Sequence, residues 1–192
     1  TVWISPLVFG QERMGKWDGY HGYWALDFTR HNPHFGEVSD LRELTRQAHR
    51  RGMKVLLDMV TNHTGQVFFY DLDGDGKATD KERFPPYHST GPYTAPLVWL
   101  TSRPKLFRYP VTAGQGEPGQ LELTSKHFHR RGQISDFSSR THMELGDFPT
   151  GLRDLNTEDP ELLAAMVDTY VYWVLRTDVD GFRIDAVPHV GH

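Results

Sequence analysis

A chain of 192 residues with 38% hydrophobic and 24% charged residues has the length and balance of a globular protein with one large domain or two small ones. Its formal net charge of −4 is spread along the chain without a basic run, which argues against nucleic acid or an anionic membrane as partner. No apolar stretch approaches the roughly 18 residues that span a bilayer, and with no cysteine there is neither a disulfide framework nor a redox compartment to read.

The opening "TVWISPLVFG" reads as a buried strand over residues 1–5 that ends at Ser5-Pro6. It has neither the charged region nor the long apolar run of a signal peptide, and looks like the middle of a domain. A loop rich in glycine and aromatics follows, "GKWDGYHGYWALDF". A helix is predicted over roughly residues 38–51, where Leu41, Leu44 and Ala48 fall at helical spacing, Asp40 and Glu43 can form a capping box and Gly52 supplies the stop. Residues 54–60, "KVLLDMV", form a continuous apolar run with one acid, the pattern of a parallel strand covered on both faces.

The segment from about residue 64 to 155 differs in composition: seven of the chain's twelve prolines lie between Pro85 and Pro118, with little clean periodicity. It is expected to be a loop-rich excursion beside the sheet. A second helix is predicted from about Pro160 to Arg176, with Asp159 at the cap, Pro160 at the first helical position and Leu163, Val167, Tyr170 and Val174 on one face. It leads into "GFRID", a strand on which Arg183 and Asp185 share one face. Strand, helix, strand, long insertion, helix, strand implies right-handed crossovers and a parallel sheet.

Polar side chains gather where strands end, as they do in the sites of α/β barrels. Asp58, Asn62 and His63 come off one strand end, and Arg183, Asp185 and His189 off another. An arginine two residues before an aspartate can hold that carboxylate ionised and oriented for nucleophilic attack. From the strand alone, a structural ion pair at a sheet rim is an equal reading.

"DGYHGYWALDF", "DMVTNH", "GLRDLNTEDPEL" and "GFRIDAVPH", in this order and spacing, resemble signature segments of the α-amylase superfamily of glycoside hydrolases. The resemblance implies an α/β fold: a partial (β/α)8 TIM barrel, about strands 2–4, formed by residues 1–63 and 156–192, with a B-domain-like insertion at 64–155. It implies Asp185 as nucleophile, Arg183 as its orienting partner, and His21, His63 and His189 as hydrogen-bonding partners of sugar hydroxyls. Tyr23 would be the platform beneath the sugar ring, supported by Trp24, with Asp58 a structural acid. Pro188 stands where many members acting on long α-glucans carry a lysine, so polymer and short oligosaccharide stay open as substrates. Retaining hydrolysis needs a second carboxyl about 5 Å from the nucleophile. The family takes it from a later strand, and no predicted strand puts Glu144 or Glu158 there. The chain is therefore expected to be inactive alone, and its open sheet edges to favour self-association.

"DLDGDGKATDKE" reads independently as a calcium loop: Asp71, Asp73 and Asp75 at positions 1, 3 and 5, Gly76 at the turn and Glu82 at position 12. Lys77 would offer its backbone carbonyl, and Thr79 its side chain or a water. The flanks do not read as helical. A second calcium follows from the resemblance, held by Asn62, Asp154 and the backbone carbonyl of His189, with Arg153 where a proline is more usual. Such loops suit an extracellular or periplasmic setting. His127 and His129, on one side of an expected strand, lack the partners of a zinc site. The alternatives are a non-catalytic carbohydrate-binding or scaffolding relative of the hydrolases and a calcium-binding module. The latter does not account for the aromatic loop at 17–24.

Overall fold

A computed structural model describes residues 1–108 and 118–191 of the chain. In chain order the strands are β1 (Val2–Ile4), β2 (Val8–Gly10), β3 (Arg13–Met14), β4 (Trp17–Asp18), β5 (Ala25–His31), β6 (Val55–Val60) and β7 (His63–Thr64). They continue as β8 (Phe68–Tyr70), β9 (Leu97–Trp99), β10 (Lys105–Arg108), β11 (Gly119–Glu122), β12 (Arg153–Asp154) and β13 (Gly181–Asp185). The helices are α1 (Val38–His49), α2 (Asp80–Arg83), α3 (Arg140–Leu145) and α4 (Pro160–Thr177). None among the described residues is long and apolar enough to cross a membrane.

The strands read as parallel from their apolar runs do pair that way, in the order β1-β6-β13. The register sets Trp3 beside Leu56 and Arg183 beside Asp58. Because side chains alternate along a strand, Trp3, Asp58, Arg183 and Asp185 face the same side of the sheet.

Two details of α1 differ from expectation. Its cap is set by Glu37, whose N–H donates to Asp40 at 2.8 Å, and not by Asp40 and Glu43. Glu43 is engaged one turn later by Arg46 and Gln47. Leu44 is exposed where Ala48 is buried, and Gly52 ends the segment at a φ of 69°.

In α4 the expected cap holds: the Asp159 carboxylate accepts the N–H groups of Glu161 and Leu162. The expected apolar face holds only in part: Tyr170 is buried and Val174 packs against the core. Leu163 and Val167 are more than half exposed, while Leu162, Ala165, Met166, Thr169, Tyr170 and Trp173 are buried. The helix is apolar most of the way round, so spacing does not select a face; polar anchors do. Tyr170 Oη donates to Val60 O at 3.0 Å, and Trp173 Nε1 donates to Phe28 O at 2.9 Å.

The segment after β6 forms the short antiparallel pairs β8–β9, β10–β11 and β7–β12, and its residues 109–117 lie outside the described ones. Phe68, Tyr70, Leu106 and Phe128 from this stretch join Val55, Leu57, Tyr170 and Trp173 in one apolar core. Arg153, read from the sequence only as a departure at a metal site, is fully buried there. It donates to Phe68 O, Arg83 O and the Asp147 carboxylate. The aromatic loop ends earlier than expected, since Ala25–His31 is a strand paired with β2.

Candidate active site

Arg183 Nη1 reaches Asp185 Oδ1 at 2.6 Å and both oxygens of Asp58 at 3.2 Å. One guanidinium thus braces a buried acid, Asp58, and holds a second, more accessible carboxylate, Asp185. The Asp58 side chain has no exposure, whereas that of Asp185 keeps 23%. Asp58 Oδ2 also accepts Tyr23 Oη at 2.7 Å and Trp3 Nε1 at 3.0 Å. Burial, then the bond to Asp58, pushes the Tyr23 hydroxyl up to about 12, and the bond to Asp185 raises Arg183 above its ordinary value.

His63 is buried, which lowers its pKa to about 4 and leaves a neutral ring at neutral pH. Its Nε2 meets Tyr23 O at 3.1 Å and its Nδ1 meets Asn62 Oδ1 at 3.3 Å. His21 accepts the Tyr23 N–H at 3.1 Å and stands edge-on to the Trp24 ring at 4.6 Å, and burial lowers its pKa. Trp24 is buried in a small cluster with Met14 and Leu152, against which Tyr23 packs. His189 Nδ1 lies 2.9 Å from Met143 O. Phe148 sits between the rings of His63 at 5.1 Å and His189 at 4.3 Å, joining two residues 126 positions apart in the sequence. Sequence reading missed both Phe148 and Trp3. Only the position of Trp3 on the first strand hinted at its place; nothing marks Phe148.

The residues expected at the second calcium converge. The Asn62 amide nitrogen donates to Asp154 Oδ1 at 2.8 Å and to His189 O at 2.7 Å. Turning that amide over would aim three oxygens at one point, a donor set that fits a hard cation. His129 bonds the other Asp154 oxygen and Glu158, and burial pushes the Asp154 carboxyl up to about 8.

In the Asp71 loop, oxygens of Asp71, Asp73 and Glu82 lie within 4.8 Å of one another, again a hard-cation set. Asp75 is outside that group and accepts the Lys77 N–H at 2.7 Å. The Thr79 hydroxyl donates to Glu82 at 2.8 Å, and Thr79 caps α2. The loop thus runs into one helical turn, which sequence reading did not anticipate.

His127 and His129 lie on no strand; His127 ends a 3-10 turn at Ser125–His127. Carboxylates of Asp159 and Glu161 lie near His127, yet its Nδ1 accepts the Thr124 N–H at 2.9 Å. The neutral ring then carries its proton on Nε2, 3.5 Å from Glu161, and has no lone pair there for a metal. Arg108 and Lys126 already neutralise Glu161.

The profile of the family described as "Alpha amylase, catalytic domain" matches residues 1–192. The chain is similar to an alpha-amylase of Streptomyces lividans, 35% identical over 99% of this chain and 22% of the relative. It is similar to a cyclomaltodextrin glucanotransferase of Bacillus sp. (strain 6.6.3), 30% identical over 99% of this chain and 23% of the relative. Among solved structures, an alpha-amylase from Geobacillus thermoleovorans complexed with acarbose superposes with a TM-score of 0.59 at 28% identity, over 99% of this chain and 31% of that one. The chain thus spans less than a third of the length of these proteins.

Proposed function

The chain belongs to the alpha-amylase catalytic-domain family, and from that premise we propose that it is the part of a TIM barrel, about strands 2–4, that carries the nucleophile of a retaining glycoside hydrolase or transglycosylase acting on α-glucosidic bonds. The observation that carries this reading is Asp185 Oδ1, held at 2.6 Å by Arg183 at the C-terminal end of a parallel strand. A partly accessible carboxylate there can attack an anomeric carbon. The C1–Oδ bond forms as the glycosidic C–O bond breaks, and the leaving oxygen takes a proton from a second carboxyl. Water attack then yields hydrolysis, and attack by a sugar hydroxyl yields transfer.

His21, His63 and His189 are proposed as partners of sugar hydroxyls; the His63 ring is held by Tyr23 O and Asn62. The second carboxyl is proposed to come from another segment of the barrel. Glu144 is paired with Arg140, and Glu158 with His129. Calcium is proposed at Asn62, Asp154 and the His189 carbonyl, and at the Asp71–Glu82 loop; when bound it would neutralise clustered oxygens and tie loop to sheet. An apolar groove lined by Met59, Leu163, Val167, Ile184, Val187 and Val190 favours self-association of the isolated chain, which sedimentation velocity at rising concentration reads.

Release of reducing sugar from soluble starch and maltooligosaccharides, with calcium present, tests the reading. The expected result is no release by the 192-residue chain, and release by a longer protein containing it that Asp185→Asn abolishes. Full activity in the Asp185→Asn protein would overturn the assignment. Release by the short chain would place the acid within it.

A further inference from the structure

Trp3 lies on β1, an edge strand of the parallel sheet, and is more than half exposed. Its indole N–H is nonetheless turned inward, onto a carboxylate with no exposure. We propose that Trp3 is a positioning residue that apportions the Arg183 guanidinium between Asp58 and Asp185. The inference rests on the reading of Asp185 as nucleophile.

The geometry supports this in two ways. Asp58 Oδ2 already accepts from Trp3 Nε1 and Tyr23 Oη, about half of the carboxylate's acceptor sites, before the arginine is counted. With Asp58 satisfied in that way, the short contact of Arg183, 2.6 Å, goes to Asp185, and the long ones, 3.2 Å, go to Asp58. The guanidinium carbon also lies 5.1 Å from the centre of the Trp3 ring, where the ring face attracts a cation and limits how it swings. Without the indole N–H, Asp58 draws Arg183 toward itself and Asp185 loses the partner that holds it. The parallel register, Trp3 beside Leu56 and Arg183 beside Asp58, makes this possible from three separate strands.

Side-chain NMR on the 15N-labelled chain tests the coupling without reference to catalysis. The indole N–H of Trp3, assigned by sequential connectivities in the unaltered chain, is expected to exchange slowly and to shift in Asp58→Asn. The Arg183 guanidinium signals are expected to move in Trp3→Phe, which keeps an aromatic face, and further in Trp3→Leu, which does not. Rapid exchange of that indole N–H in the unaltered chain overturns the proposal, even should a variant fail to fold. So do Arg183 signals that stay in place in Trp3→Phe. In a longer active protein, Trp3→Phe is expected to lower kcat about tenfold with KM nearly unchanged; an unchanged kcat refutes the catalytic part. Should Asp185→Asn leave activity intact, the nucleophile assignment fails, while the Trp3–Asp58–Arg183 coupling is still judged by the spectra.

Discussion

Replacing Arg153, a large fully buried side chain, by methionine keeps an unbranched apolar stem and removes its guanidinium. The change breaks the 2.7 Å bond to Asp147, whose own side chain is 1% exposed, and strips donors from Phe68 O and Arg83 O. Removing one partner of a buried ion pair costs about 3–5 kcal/mol. Asp147 retains Tyr70 Oη at 3.0 Å and the Asp154 N–H at 3.0 Å, so the lower end, about 3 kcal/mol, applies to the pair. The two carbonyls add about 1–2 kcal/mol. The expected loss of about 4–5 kcal/mol is a large share of a typical domain's stability. It corresponds to a fall of about 8–20 °C in Tm. Urea and thermal unfolding followed by circular dichroism would measure it. Asp147→Asn added to Arg153→Met should return part of the loss, because the stranded charge is then gone. A loss below about 1 kcal/mol, or no recovery in the double variant, would refute the reasoning.

Two further predictions concern charge. Asp180 is held well below the usual carboxylate range by Lys54, then by the Val55 N–H and His49. A folded-state value below the unfolded one contributes stability above about pH 3.9 that is lost as the pH falls through the depressed value. The urea midpoint should therefore fall below about pH 4 and the fall should be shallower in Asp180→Asn; parallel curves would refute the link. Glu82→Gln should weaken calcium binding, read by isothermal titration, by about tenfold or more, and Asp75→Asn by less, because the Asp75 oxygens stand outside the cluster. Equal effects, or no calcium binding by the unaltered chain, would refute that loop assignment.

What is local in this protein was legible in its sequence. Asp159 and Pro160 announce the start of α4, Gly52 the end of α1, and the apolar runs the parallel strands, because caps, φ preferences and side-chain alternation depend on near neighbours alone. The convergence of Asp58, His63, Arg183 and Asp185 followed from their places at strand ends, helped by resemblance. What depends on partners far along the chain was not legible. The buried face of α4 turns on Tyr170 and Trp173 finding backbone oxygens of β6 and β5. Arg153 could be read as a core residue only once Phe68, Arg83 and Asp147 surrounded it. Trp3 gained its role when the register of β1 on β6 brought its N–H to Asp58, and Phe148 when folding set it between two histidines. Such placements are chosen by the packing and polar satisfaction of the whole molecule, which no window of neighbouring residues contains.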